Sequence, residues 1–406
     1  MQSIYIEHAE VITSGQRQPD GAVLIAGERI LAAGPAGEIP PPAEAHREVR
    51  REVRRLDASG LILAPGFIDI QINGAFGCDF TTQPSSIWEA AEQLPRYGIT
   101  AFLPTLITSP LEQVAAARQI LHQGPPPGFT GAVPLGLHVE GPFLNPARRG
   151  AHNSAYMRPP LVEDVEGWSP EAGVRLVTLA PELPGALEVI RTLADRGVVV
   201  SAGHSQASVE EAQRAFEAGI TCGTHLFNAM PPIEQRKPGL AGALLAYSPA
   251  PGGHEVLCGM ICDGVHLHPA TVSLAWKALG AQRTILVTDA IAALGMPAGR
   301  YHLGDQEVII DEVSSRLADG GLAGSILSTD KAIRNLLAIT GCSLEEALQT
   351  VTYNPARLLG LENLGRGQIL PGALADLVLL TPDYHVVATM VQGRFAFMGE
   401  GLNWAT

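Results

Sequence analysis

The sequence predicts an α/β protein, a (β/α)8 barrel of TIM type with a small β-sandwich built from both chain termini. Three observations carry this reading. Eight short apolar runs recur through the middle of the chain, most of them followed by a helix-compatible segment. Polar residues gather at the C-terminal ends of those runs, the end where barrel enzymes place their chemistry. Strand-like, turn-rich segments stand at both ends of the chain. Residues 1–60 and 366–406 are assigned to the sandwich and 61–365 to the barrel. A chain of 406 residues suits this division, because a barrel takes roughly 250 by itself.

Composition narrows the partners. A formal net charge of −14 argues against a nucleic-acid backbone or an anionic membrane surface, but leaves room for a small anionic substrate. The five cysteines (Cys78, Cys222, Cys258, Cys262, Cys342) are odd in number and follow no scaffold spacing, so they read as reduced thiols. Cys258 and Cys262 hint at a metal pair, yet they sit in an apolar strand-like run and read better as buried structural residues. The sequence has no charged-then-apolar leader and no long apolar span. A cytoplasmic protein is expected.

In chain order, IYIEHAEVIT and GAVLIAGERILAAG are strand-like, with a turn near Gly27. PAGEIPPPAEAH is a proline-rich connection. The run REVRREVRR (Arg47 to Arg55) reads as a solvated charged segment, with basic-patch recognition as the sharper alternative. The eight apolar runs follow: LAPGFIDIQIN, GITAFLPT, VPLGLHVEG, VRLVTLAPE, GVVVSAGHS, ITCGTHLFN, EVLCGMICDG and TILVTDA. Strands alternating with helices imply a parallel sheet buried on both faces, and eight of them imply closure. A six-stranded open sheet is the rival, but no Gly-x-Gly-x-x-Gly turn follows the first strand. Beyond the barrel strands, YHLGDQEVIIDE reads as a hairpin excursion. Ser343 with Glu346 forms a capping box opening SLEEALQTVT. The tail GQILPGALADLVLLTPDYHVVATMVQGRFAF returns to strand, and its Asp376 reads as a structural residue.

The chemistry centres on Ser201–Met230. His204 and His225 end two strand-like runs, VVVSAGH and ITCGTH. Between them lies SQASVEEAQRAFEAG, with capping residues at its start and Gly219 as a stop. A βαβ unit delivers both imidazoles to one edge, as a divalent metal requires. Period-two alternation puts Asp69, Gln71 and Asn73 on one face of FIDIQIN, and His138 with Glu140 on one face of LGLHVEG. Polar groups facing a barrel interior must be paired, hydrated or bound to a ligand. Glu140, His204 and His225 form a one-carboxylate, two-histidine set that zinc or another divalent ion would fit. Asp289, ending RTILVTDAI, reads either as a helix N-cap or as the general base for a metal-activated water.

APGFIDIQING, HVEGPFL, AGHSQAS, THLFNAM, DGVHLHP and VTDAI together resemble the N-acetylglucosamine-6-phosphate deacetylases of the amidohydrolase superfamily. The resemblance runs from about Leu61 to the C-terminus. It implies hydrolysis of the acetamide of N-acetyl-D-glucosamine 6-phosphate. It makes Glu140, His204 and His225 the metal ligands, Asp289 the acid/base and His152 the group that polarises the carbonyl. Ala151, His152, Asn228, Ala229, His266 with Asp263 beside it, Leu322, Ala323 and Gly324 match substrate-contacting positions. Arg236 matches an arginine that reaches the phosphate from a neighbouring subunit, which implies a homodimer. Where many superfamily members carry His-x-His, this chain has Gln71 and Asn73. Amides are poor zinc ligands, so one catalytic metal is expected, with these two positioning water or ligand. Two other readings stay open: a deacetylase of the galacto epimer or another amidohydrolase, and a non-catalytic assembly protein.

Overall fold

In a computed structural model the described residues are 3–13, 15–39, 53–249, 253–400, 402 and 404–405. Most of the proline-rich connection and the first six residues of the arginine run, 47–52, lie outside them.

The eight expected barrel strands form, in order, at Phe67–Ile72, Ile99–Ile107, Leu137–Glu140, Val174–Leu179, Val199–Ala202, Ile220–Gly223, Leu257–Met260 and Thr284–Leu286. Each pairs in parallel with the next. Almost every residue in them is buried, as a sheet covered on both faces demands. Closure comes just past the eighth strand. Ala290 makes a parallel bridge to Ile72, and Asp289 N–H donates to the Gln71 carbonyl at 2.9 Å. The site residues on the first and last strands therefore meet across the seam.

Helices cover the outside after most strands, among them Leu111–Gln123, Ala186–Asp195, Val209–Ala218 and Pro269–Arg283. Val209–Ala218, between the two histidine-bearing strands, opens with a reciprocal capping box of Ser208 and Glu211. Its apolar Ala212, Ala215 and Phe216 face the barrel core. The third connection differs. It holds only short 3-10 turns from Pro146 to Val165, and this irregular path folds Gly150, Ala151 and His152 over the barrel mouth.

Both chain ends share a nine-stranded sheet. Ser3–Thr13 pairs antiparallel with Gln16–Ala26. Along its other edge it pairs in parallel with Val53–Asp57 and then with Ile62–Pro65. Ile62–Pro65 accepts Leu377–Leu380 from the C-terminal segment. Ile4, Ile6, Val23, Ile25, Leu63, Leu377, Leu379 and Met390 form its core. The excursion after the eighth strand is the expected hairpin, Gly299–Leu303 with Gln306–Ile310. All five cysteines are free thiols, and burial pushes Cys258 and Cys262 up to about 12, which keeps both unreactive. Among the described residues no helix is long and apolar enough to cross a membrane.

Candidate active site

A cavity of about 140 Å³ opens at the C-terminal ends of the barrel strands. Its wall includes Asn73, Glu140, Ala151, His152, His204, His225, Asn228, Ala229, His266, Asp289, Leu322 and Gly324. These come from the ends of six barrel strands and the loops that follow them, so only the closed barrel brings them together.

The tightest convergence involves three side chains. Glu140 Oε1 lies 3.2 Å from His204 Nε2 and 3.1 Å from His225 Nε2, and the two imidazole nitrogens are 3.0 Å apart. His204 Nδ1 donates to the Arg148 carbonyl at 2.8 Å, which leaves its Nε2 as a bare lone pair. Acceptor nitrogen against carboxylate oxygen is repulsive unless a cation lies between them. Ligands held ~2.0–2.1 Å from a tetrahedral zinc sit roughly 3.3 Å apart, close to the spacing seen. The donor set therefore fits a divalent ion. Orphaned atoms beside it point the same way: Asn73 Oδ1 and His225 Nδ1 are buried without a partner among the described residues.

A second triple, Glu140, His152 and His204, also brings ligand atoms within 4.8 Å of one another. The hydrogen bonds decide between the two sets. The Thr108 backbone N–H points at His152 Nδ1 at 3.2 Å, so that nitrogen keeps its lone pair and Nε2 carries the hydrogen. Burial, reinforced by His204, holds His152 down at about 3 and hence neutral. His152 is thus a hydrogen-bond donor into the cavity, and His225 is the better third ligand.

Asp289 faces the same space. No helix follows it, so the N-cap alternative fails; Ala290 bridges instead to Ile72 and Ser325. Gln71 Nε2 spans the two acids, 3.3 Å from each Glu140 oxygen and 3.2 Å from Asp289 Oδ1, while Asn73 Nδ2 donates to Asp289 at 2.7 Å. The two amides occupy as donors the place where a second ion would need acceptors. Burial, with the Glu140 charge next, raises Asp289 to about 6. Burial opposes the charge on Glu140 too, but its contacts with His204 and His225 outweigh it and hold that carboxyl well below its usual range.

The backbone is strained at the same three places. His204, His225 and Asp289 have φ of +49°, +28° and +49°, and Phe227 and Ala229 follow at +73° and +53°. Left-handed conformations at non-glycine residues cost on the order of 1–3 kcal/mol each and cluster where function fixes geometry.

The remaining candidates divide. His266 is on the wall, and Asp263 stands behind it, accepting from His266 Nδ1 at 2.7 Å and from the His266 and Val265 backbone at 2.8 Å each. Ala323 is buried behind the wall between Leu322 and Gly324. Arg236 is exposed on the loop after His225 and does not line this chain's cavity. Four wall residues were missed from sequence, Ile107, Gly150, Ile261 and Leu303, because nothing in an apolar letter or a glycine marks the end that faces a cavity.

Such a barrel with such a mouth defines a class, the metal-dependent hydrolases. Residues 62–396 match the amidohydrolase family, and the chain belongs to it. Within that family it stands with the N-acetylglucosamine-6-phosphate deacetylases. The Homo sapiens enzyme of that name is 42% identical over 377 residues, 90% of each chain. The Bacillus subtilis one is 36% identical over 345 residues, 84% of this chain and 85% of that one. Among solved structures, a Mycobacterium smegmatis N-acetyl-D-glucosamine-6-phosphate deacetylase mutant in complex with N-acetyl-D-glucosamine-6-phosphate superposes with TM-score 0.86. It is 32% identical and covers 98% of this chain and all of that one.

Proposed function

We propose that this chain hydrolyses the acetamide of N-acetyl-D-glucosamine 6-phosphate, releasing D-glucosamine 6-phosphate and acetate. The observation that carries the reading is the meeting of Glu140, His204 and His225 at 3.0–3.2 Å, with Asp289 tied to the same carboxylate through Gln71. Those three residues would hold one divalent ion, zinc by donor type. When bound, the ion supplies Lewis acidity, lowering the pKa of a water from 15.7 toward ~7.

The chain's own groups do the rest. Asp289 is ionised at pH 7 yet more basic than an ordinary aspartate, so it takes the water's proton as oxygen attacks the carbonyl carbon. His152 donates Nε2–H to the carbonyl oxygen as negative charge develops there. Asp289 then returns the proton to the nitrogen, the C–N bond breaks, and acetate and the free amine leave. His266, oriented by Asp263, and the Asn228–Ala229 and Leu322–Gly324 segments hold the sugar. Arg236 would reach the phosphate in the neighbouring site of a homodimer; its exposure outside its own cavity supports this. The division into a terminal sheet domain and a barrel fits the sheet membership, but Ile62–Pro65 pairs on both edges within the terminal sheet, so the first boundary moves from 61 to about 66, just before the first barrel strand at Phe67–Ile72.

The test loads the chelator-dialysed protein with zinc and follows acetate and free amine from the phosphorylated sugar, its galacto epimer and its unphosphorylated counterpart. One zinc per chain and equimolar products from the phosphorylated sugar are expected. Arg236→Ala should weaken the phosphorylated substrate far more than the unphosphorylated one. A zinc-loaded protein that released no acetate would overturn the reading.

A further inference from the structure

Glu182 lies just beyond the fourth barrel strand, on a segment that contributes nothing to the cavity wall. Its carboxylate is nevertheless fully engaged with the two loops that flank His204. Oε1 accepts from Asn145 Nδ2 at 2.9 Å and from the Gln206 backbone N–H at 2.6 Å, and Oε2 accepts from Ser205 Oγ at 2.7 Å. Ser205 Oγ in turn accepts from the Ala207 N–H at 2.9 Å. The three residues after His204 are thereby pinned.

Asn145 pins the other side. Its backbone N–H donates to the His204 carbonyl at 3.0 Å, and its side-chain oxygen accepts from Ala147 N–H at 3.0 Å. Its carbonyl accepts from Arg148 N–H at 2.8 Å. That short turn presents the Arg148 carbonyl, the acceptor that takes His204 Nδ1–H and frees Nε2. His204 is held at φ +49°, a conformation a histidine does not keep unless its surroundings impose it.

We propose that Glu182, acting through Asn145, is the positioning residue that presents His204 to the metal; the proposal rests on the metal reading above. It touches neither substrate nor ion. A carboxylate is suited because it is acceptor-only, and here two oxygens receive three donors. Glutamine can satisfy the two donors on one oxygen but must turn its NH2 toward Ser205 Oγ, so it should serve partly. Alanine leaves all three donors without their acceptor.

The experiment measures zinc affinity by chelator competition on wild-type, Glu182→Ala, Glu182→Gln, Asn145→Ala and the double alanine variant. The visible spectrum of the cobalt-loaded forms and the melting temperature of each metal-free form accompany it. Loss of an outer partner of a ligating histidine typically weakens metal binding 10–100-fold. That range is expected for Glu182→Ala and Asn145→Ala, with a smaller loss for Glu182→Gln and a double variant no weaker than the worse single one. The cobalt spectrum should change in the alanine variants. A purely structural role would lower the metal-free melting temperature while leaving zinc affinity and the cobalt spectrum at wild-type values, and that result overturns the proposal. Should the alanine variants fail to fold, unchanged zinc affinity in Glu182→Gln overturns it equally. Wild-type protein that bound no zinc would remove the metal reading itself and Glu182's role with it.

Discussion

In the terminal sheet domain, Asp376 is buried against Arg366, and its second oxygen accepts the Gln392 N–H at 2.8 Å. At the barrel mouth, Glu140 and Asp289 are also buried, but among the described residues no arginine or lysine meets them. Two acids share amides and imidazoles around a cavity, with strained backbone and orphaned polar atoms alongside. One region consumes its buried charge internally. The other leaves donor and acceptor capacity unspent, and that surplus is what a ligand completes. The contrast distinguishes structural from functional burial more sharply than burial alone, because both sets of acids are almost inaccessible.

The contrast predicts where activity and stability separate. Asp289→Asn removes the group that moves the proton while keeping shape and the Asn73 contact. Its kcat should fall about 10²–10⁴-fold with zinc stoichiometry and melting temperature near wild type, measured by steady-state acetate release and metal analysis. Arg366→Met does the reverse. Breaking a buried pair by removing one partner costs roughly 3–5 kcal/mol, so urea unfolding should show that loss while kcat stays unchanged. A drop in kcat equal to that of the Asp289 variant would erase the distinction.

Asp69 tests the intermediate case, a buried acid inside the barrel but off the cavity wall. Thr288 Oγ1 donates to it at 2.5 Å and Gln71 N–H at 3.1 Å, yet burial still pushes it up to about 7. The folded state then binds more protons than the unfolded one between about pH 4 and 7, so this group's contribution is full below pH 4 and lost as pH rises through 7. Asp69→Asn cannot titrate. Its stability relative to wild type should therefore improve from pH 5 to pH 8 by about 2–3 kcal/mol, while the weakened Thr288 bond lowers it by the same amount at every pH. A difference that stayed flat with pH would show that Asp69 is ionised throughout.

The barrel was legible because strands buried on both faces read as continuous apolar runs, and their polar ends stood out against them. Alternation alone placed Gln71 and Asn73 beside each other and Glu140 inward. Other features have no letter of their own. The tautomer of His152 is set by Thr108, distant in sequence, through its main-chain N–H and a hydroxyl 2.8 Å from the same ring nitrogen. The left-handed backbone of His204 and His225 is imposed by neighbours distant in sequence. Leu303 reaches the cavity on a hairpin held over the mouth by contacts distant in sequence, among them Asp79 accepting from the Gly304 N–H at 2.9 Å and Asp305 accepting from Asn153 Nδ2 at 2.5 Å. In the terminal domain, the parallel pairing of Val53–Asp57 with Ser3–Glu7 is a long-range contact that neither strand announces.

That pairing also gives the arginine run its smallest and most surface-bound test. Its last two arginines lie in the strand rather than free in solvent: Arg55 forks onto Glu7 at 2.7–3.0 Å, and the Arg54 guanidinium stacks 3.6 Å over the Trp404 ring. Glu7 is mostly covered, but the Arg55 side chain is 45% exposed, so solvent screens the pair. Arg55→Met should therefore cost no more than about 1 kcal/mol in urea unfolding, a cost that shrinks further in high salt. It should leave acetate release untouched, because the strand belongs to the terminal sheet and not to the barrel mouth. A larger, salt-insensitive loss would place Glu7 with Asp376, among acids that the terminal domain buries and must neutralise for itself.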